Sequence, residues 1–271
     1  MKKLVSLFLI FTLVFTVVGT IYAADIDKEK ALDNEKLSKI DKKADEIWVK
    51  SGGDIDQVKE YYESVGYVHE KRASYNKQSA NDIQGDVSIL ATPATYNLTM
   101  DFYRTDGYTV KVWANVKLAN SLYYENNPAS DDRLAISWDK DIQNKSSEVY
   151  NFLTKNSKQK GDLANPNDIM VKAESAPNAV SYRIRDGKFY DILPGDYVDS
   201  AYIQVTFLDP QLELGTGPWT YYYSKYKHTY GTVSSTISWE VGYPWSIKVS
   251  GTSSTTESID DYASDLGQFG P

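Results

Sequence analysis

The feature that most constrains this chain is a period-two alternation of side chains. From residue 96 onward, Leu98, Met100 and Phe102, then Tyr108, Val110, Val112, Ala114, Val116 and Leu118, put apolar groups on even positions. Asn97, Thr99, Asp101, Thr109, Lys111, Asn115 and Lys117 fill odd positions between them. Successive side chains of a strand point to opposite faces, so the pattern predicts two half-buried strands with one polar, wet face. Parity also constrains the turn. A two-residue loop at Asp106-Gly107 would set even residues opposite odd ones and split the apolar set between faces. A three-residue loop, Thr105-Asp106-Gly107, pairs Arg104 with Tyr108, Phe102 with Val110 and Met100 with Val112, with glycine at the left-handed position. The same device at Arg185-Asp186-Gly187 predicts pairs Ile184–Lys188, Tyr182–Tyr190 and Val180–Ile192.

Further alternation runs through Ala201, Ile203, Val205 and Phe207, through odd positions of 233–241, and on to Trp245, Ile247 and Val249. Val87–Ala91, Leu134–Trp138, Ile169–Ala173 and Trp219–Tyr230 complete the strand candidates. Residues 145–155 read as a short helix, with a strand as the alternative. The fold class is therefore mainly β: an antiparallel β-sandwich-like unit of about 10–11 strands.

A short helical hairpin precedes it. Residues 25–80 hold 24 charged side chains in 56 positions but five aromatics, whereas residues 81–271 hold 27 aromatics. Leu37, Ile40, Ala44 and Ile47 share a helix face, as do Ile55, Val58, Tyr62 and Val65. Gly52 ends the first helix and Asp54 caps the second. The hairpin reads as a cap on the β unit, with a removable pro-segment or partner-binding arm as alternatives. Ala73 to Gly85 is polar and aperiodic, and reads as a linker. The expected division is a signal peptide at 1–23, the helical hairpin and linker at 24–80, and the β domain at 81–271. Lys2 and Lys3, the apolar run Leu4 to Val18 and the small residues Ala23 and Ala24 carry the signal-peptide reading, with cleavage after Ala23 and secretion to the extracellular space; an uncleaved anchor over Leu4 to Ile21 is the competing reading.

The absence of cysteine excludes thiol nucleophiles and cysteine-held zinc or iron–sulfur centres. The chain carries −8, and losing Lys2 and Lys3 takes it to −10, which argues against nucleic acid as a partner. No phosphate loop, dinucleotide glycine motif, His-Glu-x-x-His or Gly-x-Ser-x-Gly elbow is present, and no cofactor is expected. His69 falls in the helical region, so a Ser-His-Asp site on the β unit would have to use His228. A carbohydrate-active hydrolase needs two carboxylates across a sugar, and Asp131-Asp132, Asp139 with Asp141, and Asp260-Asp261 supply carboxylates without placing them face to face. The loop 125–132 offers hard oxygen ligands, making Asp131, Asp132, Asp139 and Asp141 candidates for Ca²⁺. The glycine and terminal glutamate of an EF-hand are missing there, and turn chemistry accounts for these residues equally well.

The aromatic strand Trp219–Tyr230 is the most informative functional feature. Trp219, Tyr221 and Tyr223 share one face, and Tyr222, Tyr226, His228 and Tyr230 the other. One face enters the core. The other offers rings for stacking on sugar or docking on protein, with Tyr222, Tyr226, His228 and Tyr230 as the expected binding set; the alternative is that both faces are covered, by the second sheet and by the helical unit. The hairpin 232–254 alternates Ser/Thr with apolar residues, the pattern a membrane-spanning barrel needs over about ten residues per strand. The leading reading is a secreted, non-enzymatic binding module for an extracellular or cell-envelope polysaccharide or protein. A β-pore-forming toxin-like protein, the one reading with a membrane partner, and a hydrolase with a carboxylate pair are the alternatives.

Overall fold

The computed structural model describes residues 35–77, 96–104, 109–118, 132–138, 145–156, 158–163, 165–176, 178–185, 197–208, 220–227, 238–242, 246–250 and 267–269. The chain divides into two compact units, Met1–Glu46 and Ile47–Pro271. The boundary falls inside the first helix, α1 (35–50). In the first unit, ion pairs Glu35–Lys39 (2.7 Å) and Lys43–Glu46 (3.2 Å) line the exposed side of α1. Among described residues, no helix is long and apolar enough to cross a membrane.

The second unit is mainly β and antiparallel. Its strands are β1 (Val68–Lys77), β2 (Tyr96–Arg104), β3 (Thr109–Leu118), β4 (Asp132–Trp138), β5 (Lys145–Thr154), β6 (Met170–Ala176), β7 (Ala179–Ile184), β8 (Val198–Leu208), β9 (Thr220–Lys227), β10 (Ser238–Gly242), β11 (Ser246–Ser250) and β12 (Gly267–Phe269). One five-stranded sheet has the order β1-β2-β3-β8-β5 and the other β12-β9-β4-β7-β6; β10 and β11 form a hairpin of their own. The core lies between the two large sheets. Leu98, Met100 and Phe102, Val110 to Val116 on even positions, and Ala201, Ile203, Val205 and Phe207 come from the first sheet. They meet Leu134, Ile136, Trp138, Val180, Tyr182, Ile184, Tyr222 and Tyr226 from the second. The even-numbered apolar set expected for 96–118 is thus the core set.

Several expectations are corrected. Arg104 pairs with Val110, Phe102 with Val112 and Met100 with Ala114, a register two residues longer than the three-residue loop requires. A shift of two preserves parity, so the same side chains still face inward. The turn itself, 105–108, lies outside the described residues. Ile184 does not pair with Lys188, because β7 has β4 along one edge and β6 along the other. Residues 145–154 are a strand, not a helix. Register shifts at Lys145/Ser147 and Leu153/Thr154 break the period at both ends of β5, which hid it. Ala73–Lys77, read as the start of a linker, is the second half of β1, paired with β2 from Ala73↔Met100 to Lys77↔Tyr96. As an edge strand rich in charge, β1 carries little apolar alternation to read.

The helical hairpin is present. Its second helix, α2 (Ile55–Ser64), starts at the Asp54 cap, whose carboxylate accepts from the Asp56 N–H at 2.9 Å. Val58 and Tyr62 are fully buried, whereas Val65 sits beyond the helix and is exposed. Along α1 the buried positions are Ile40, Asp41, Ala44 and Trp48, with Ile47 half-buried: the face runs through Trp48. Gly53 lets the connecting turn press on β8. Its φ is +82°, and a Cβ there would lie 2.8 Å from Ser200 Oγ.

Trp48 and α2 close the outer face of the first sheet. The polar face expected to be wet is buried: Asp101 and Lys111 are fully enclosed, and Thr109 and Asn115 nearly so. Burying polar groups requires partners. Trp48 Nε1 donates to Asn115 Oδ1 at 3.0 Å, Tyr62 OH to Gln204 Oε1 at 2.8 Å and Lys111 Nζ to Thr206 Oγ1 at 2.9 Å. Rings fill the remaining space, with Trp113 stacked on Tyr202 at 4.1 Å and Tyr62 against Tyr103 at 4.7 Å.

Candidate binding face

The second sheet has an outer face of a different kind. On β9 the even side chains turn inward. Tyr222 packs between Phe102 (5.6 Å) and Phe207 (5.2 Å), and Tyr226 meets Tyr96 edge-on at 4.8 Å. Tyr222 is wholly buried and Tyr226 nearly so. Both were expected in the binding set, and both are core residues: a Tyr on this strand gains more by filling the inter-sheet space than by facing water. His228 and Tyr230 lie outside the described residues. The odd positions Tyr223 and Lys225 therefore carry β9's outward surface, and both are half-exposed.

On β4, Leu134, Ile136 and Trp138 face the core, which leaves Arg133, Ala135 and Ser137 outward. On β7, Val180, Tyr182 and Ile184 face the core and Arg183 is exposed. Backbone register fixes how these residues meet. Arg133 is opposite Arg183 on one side and Lys227 on the other; Ala135 is opposite Ser181 and Lys225; Ser137 is opposite Tyr223. Ala135 and Ser181 make a buried floor of small residues. Arg133, Arg183 and Lys225 bring positive charge around it, and Tyr223 adds a ring. Residues directly opposite on neighbouring antiparallel strands hold their Cβ atoms about 5 Å apart, and like charges so placed oppose folding. Parity within 132–138 and 180–184 was the signal that could have picked out Arg133 and Arg183, since every even neighbour there is apolar or core-facing.

Of the four calcium candidates, Asp132 alone is among the described residues. Asp132 is buried and accepts a hydrogen bond from the Tyr226 hydroxyl. Asp131, Asp139 and Asp141 lie outside the described residues. Among those described, no three His, Asp or Glu side chains gather as metal ligands would.

A second charged cluster lies under α2. His69 is on β1, not in the helical region, and its Nε2 is 2.7 Å from Asp101 Oδ1. Arg72 Nε donates to the same oxygen at 2.7 Å, and its Nη1 reaches Asp56 in the first turn of α2. Burial works against the charge of Arg72, but Asp101, followed by Asp56, outweighs it and leaves the guanidinium pKa raised. The arrangement joins α2, β1 and β2 through one enclosed carboxylate. Beside it, burial pushes the Tyr103 phenol pKa well up, with the charge of Asp101 adding to the effect. A third tie crosses between the sheets. Glu148 of β5 accepts from Lys172 Nζ at 2.6 Å and from the Tyr182 hydroxyl. Burial, then Glu148, raises the Tyr182 pKa.

No family model matches this chain. No curated protein matches it either. Among solved structures, one from work described as "pH-induced modulation of Streptococcus parasanguinis adhesion by Fap1 fimbriae" is similar over 73% of this chain and 94% of its own, at 9% identity and a TM-score of 0.27. A likeness of that size assigns neither fold nor function.

Proposed function

We propose that this protein is an exported, non-enzymatic binding module that engages a glycan or protein through the outer face of β9, β4 and β7. The observation that carries the reading is the placement of Tyr223 and Lys225 on the outward side of β9, opposite Ser137 and Ala135 of β4, on strands whose alternate side chains are locked in the core. Groups held on such strands lose little freedom when a ligand arrives, and a tyrosine offers a broad apolar face at small entropic cost. Export rests on the signal-peptide pattern of residues 1–23.

Retention of the protein on insoluble cell-wall polysaccharide tests this reading. Tyr223→Ala should weaken retention by roughly 1–2 kcal/mol while leaving the thermal midpoint nearly unchanged. Equal retention of variant and wild type, or no retention of the wild type on wall polysaccharide or extracted envelope protein, would remove the face from consideration.

A further inference from the structure

We draw no further inference here: the strongest candidate, the floor of small residues Ala135, Ala179 and Ser181 on the outer face of β4 and β7, holds a Ser181 hydroxyl with no hydrogen-bond partner among the described residues, but the floor is closed to solvent and nothing in the structure shows what covers it.

Discussion

The two large sheets treat their polar faces in opposite ways. In the first, the positions that alternate with the core carry Asp101, Lys111, Asn115, Gln204 and Thr206, and all five are buried. In the second, the equivalent positions carry Arg133, Ser137, Arg183, Tyr223 and Lys225, which reach solvent in part or in full, around Ala135 and Ser181, which are buried. The difference lies in what distant sequence supplies. Trp48 and Tyr62 come from 67 and 142 residues away to meet Asn115 and Gln204. Each brings a large ring to exclude water and one polar atom to replace it. The second face leaves Arg183 exposed and Arg133 and Lys225 half-exposed. Alternation therefore says which side chains share a face, but whether that face is wet depends on what else in the chain can satisfy it.

The sharpest way to break this comparison is to remove the cover. Trp48→Ala should cost about 3–5 kcal/mol of unfolding free energy, since it empties a fully enclosed indole site and leaves Asn115 without that donor. Tyr62→Phe removes only the hydroxyl that donates to Gln204 and should cost about 1 kcal/mol. Denaturant midpoints at a constant slope read both. A Trp48→Ala cost below that of Tyr62→Phe would mean that the hairpin does not seal the first sheet. The next effect is Asp101→Ala, at about 3 kcal/mol, because the enclosed carboxylate is the shared partner of His69 and Arg72. Recovery of most of that loss in a His69→Ala background would show that the histidine, not the arginine, depends on the carboxylate.

Much of this architecture is legible in the residues themselves. Even-numbered apolar positions in 96–118 and 201–207 identify the core, and Asp54 marks the start of α2. The candidate binding face is legible only by half. The aromatic strand announces two ring-bearing faces, but nothing local says that Tyr222 and Tyr226 meet Phe102, Phe207 and Tyr96 across the sandwich. Arg133 and Arg183 stand 50 residues apart in sequence, and their adjacency is a product of strand order alone. β1 and β5 escape for a shared reason. Both are edge strands, both carry a register shift, and an edge strand keeps its place through hydrogen bonds to one neighbour more than through an apolar stripe.

A sealed face also predicts how the fold meets alkali. Burial raises the Tyr103 pKa, so the phenol keeps its proton in the folded state where the unfolded chain gives it up, above about pH 10. The stability this contributes is complete below that pH and drains away as pH rises, at about 1.4 kcal/mol per unit for one such group. Tyr182, raised by burial and by Glu148, should act in the same direction. Tyr103→Phe removes one of the two. The Tyr103 hydroxyl has no hydrogen-bond partner among the described residues, so the variant should match wild type at pH 7 and lose stability less steeply above pH 10. Identical slopes for variant and wild type would mean that water reaches this phenol and that the first face is not sealed.

The smallest effect concerns the open face, and its sign is more telling than its size. Arg183 is exposed and sits directly opposite Arg133, with Val171 on its other side. Arg183→Glu converts a like-charge pair into an opposite-charge pair at the same register position. If the face serves the fold no more than any wet surface does, the substitution should leave stability unchanged or raise it by about 0.2–1 kcal/mol, and added salt should erase the gain. If Arg183 is instead part of the packing of the second sheet, the same change should lower stability at every salt concentration, as substitutions on the sealed face do. Thermal midpoints measured at low and high salt distinguish these outcomes. A gain in stability that accompanies a loss of glycan retention would mean that the arginine pair is kept at a cost to the fold, which is how a binding surface differs from a structural one.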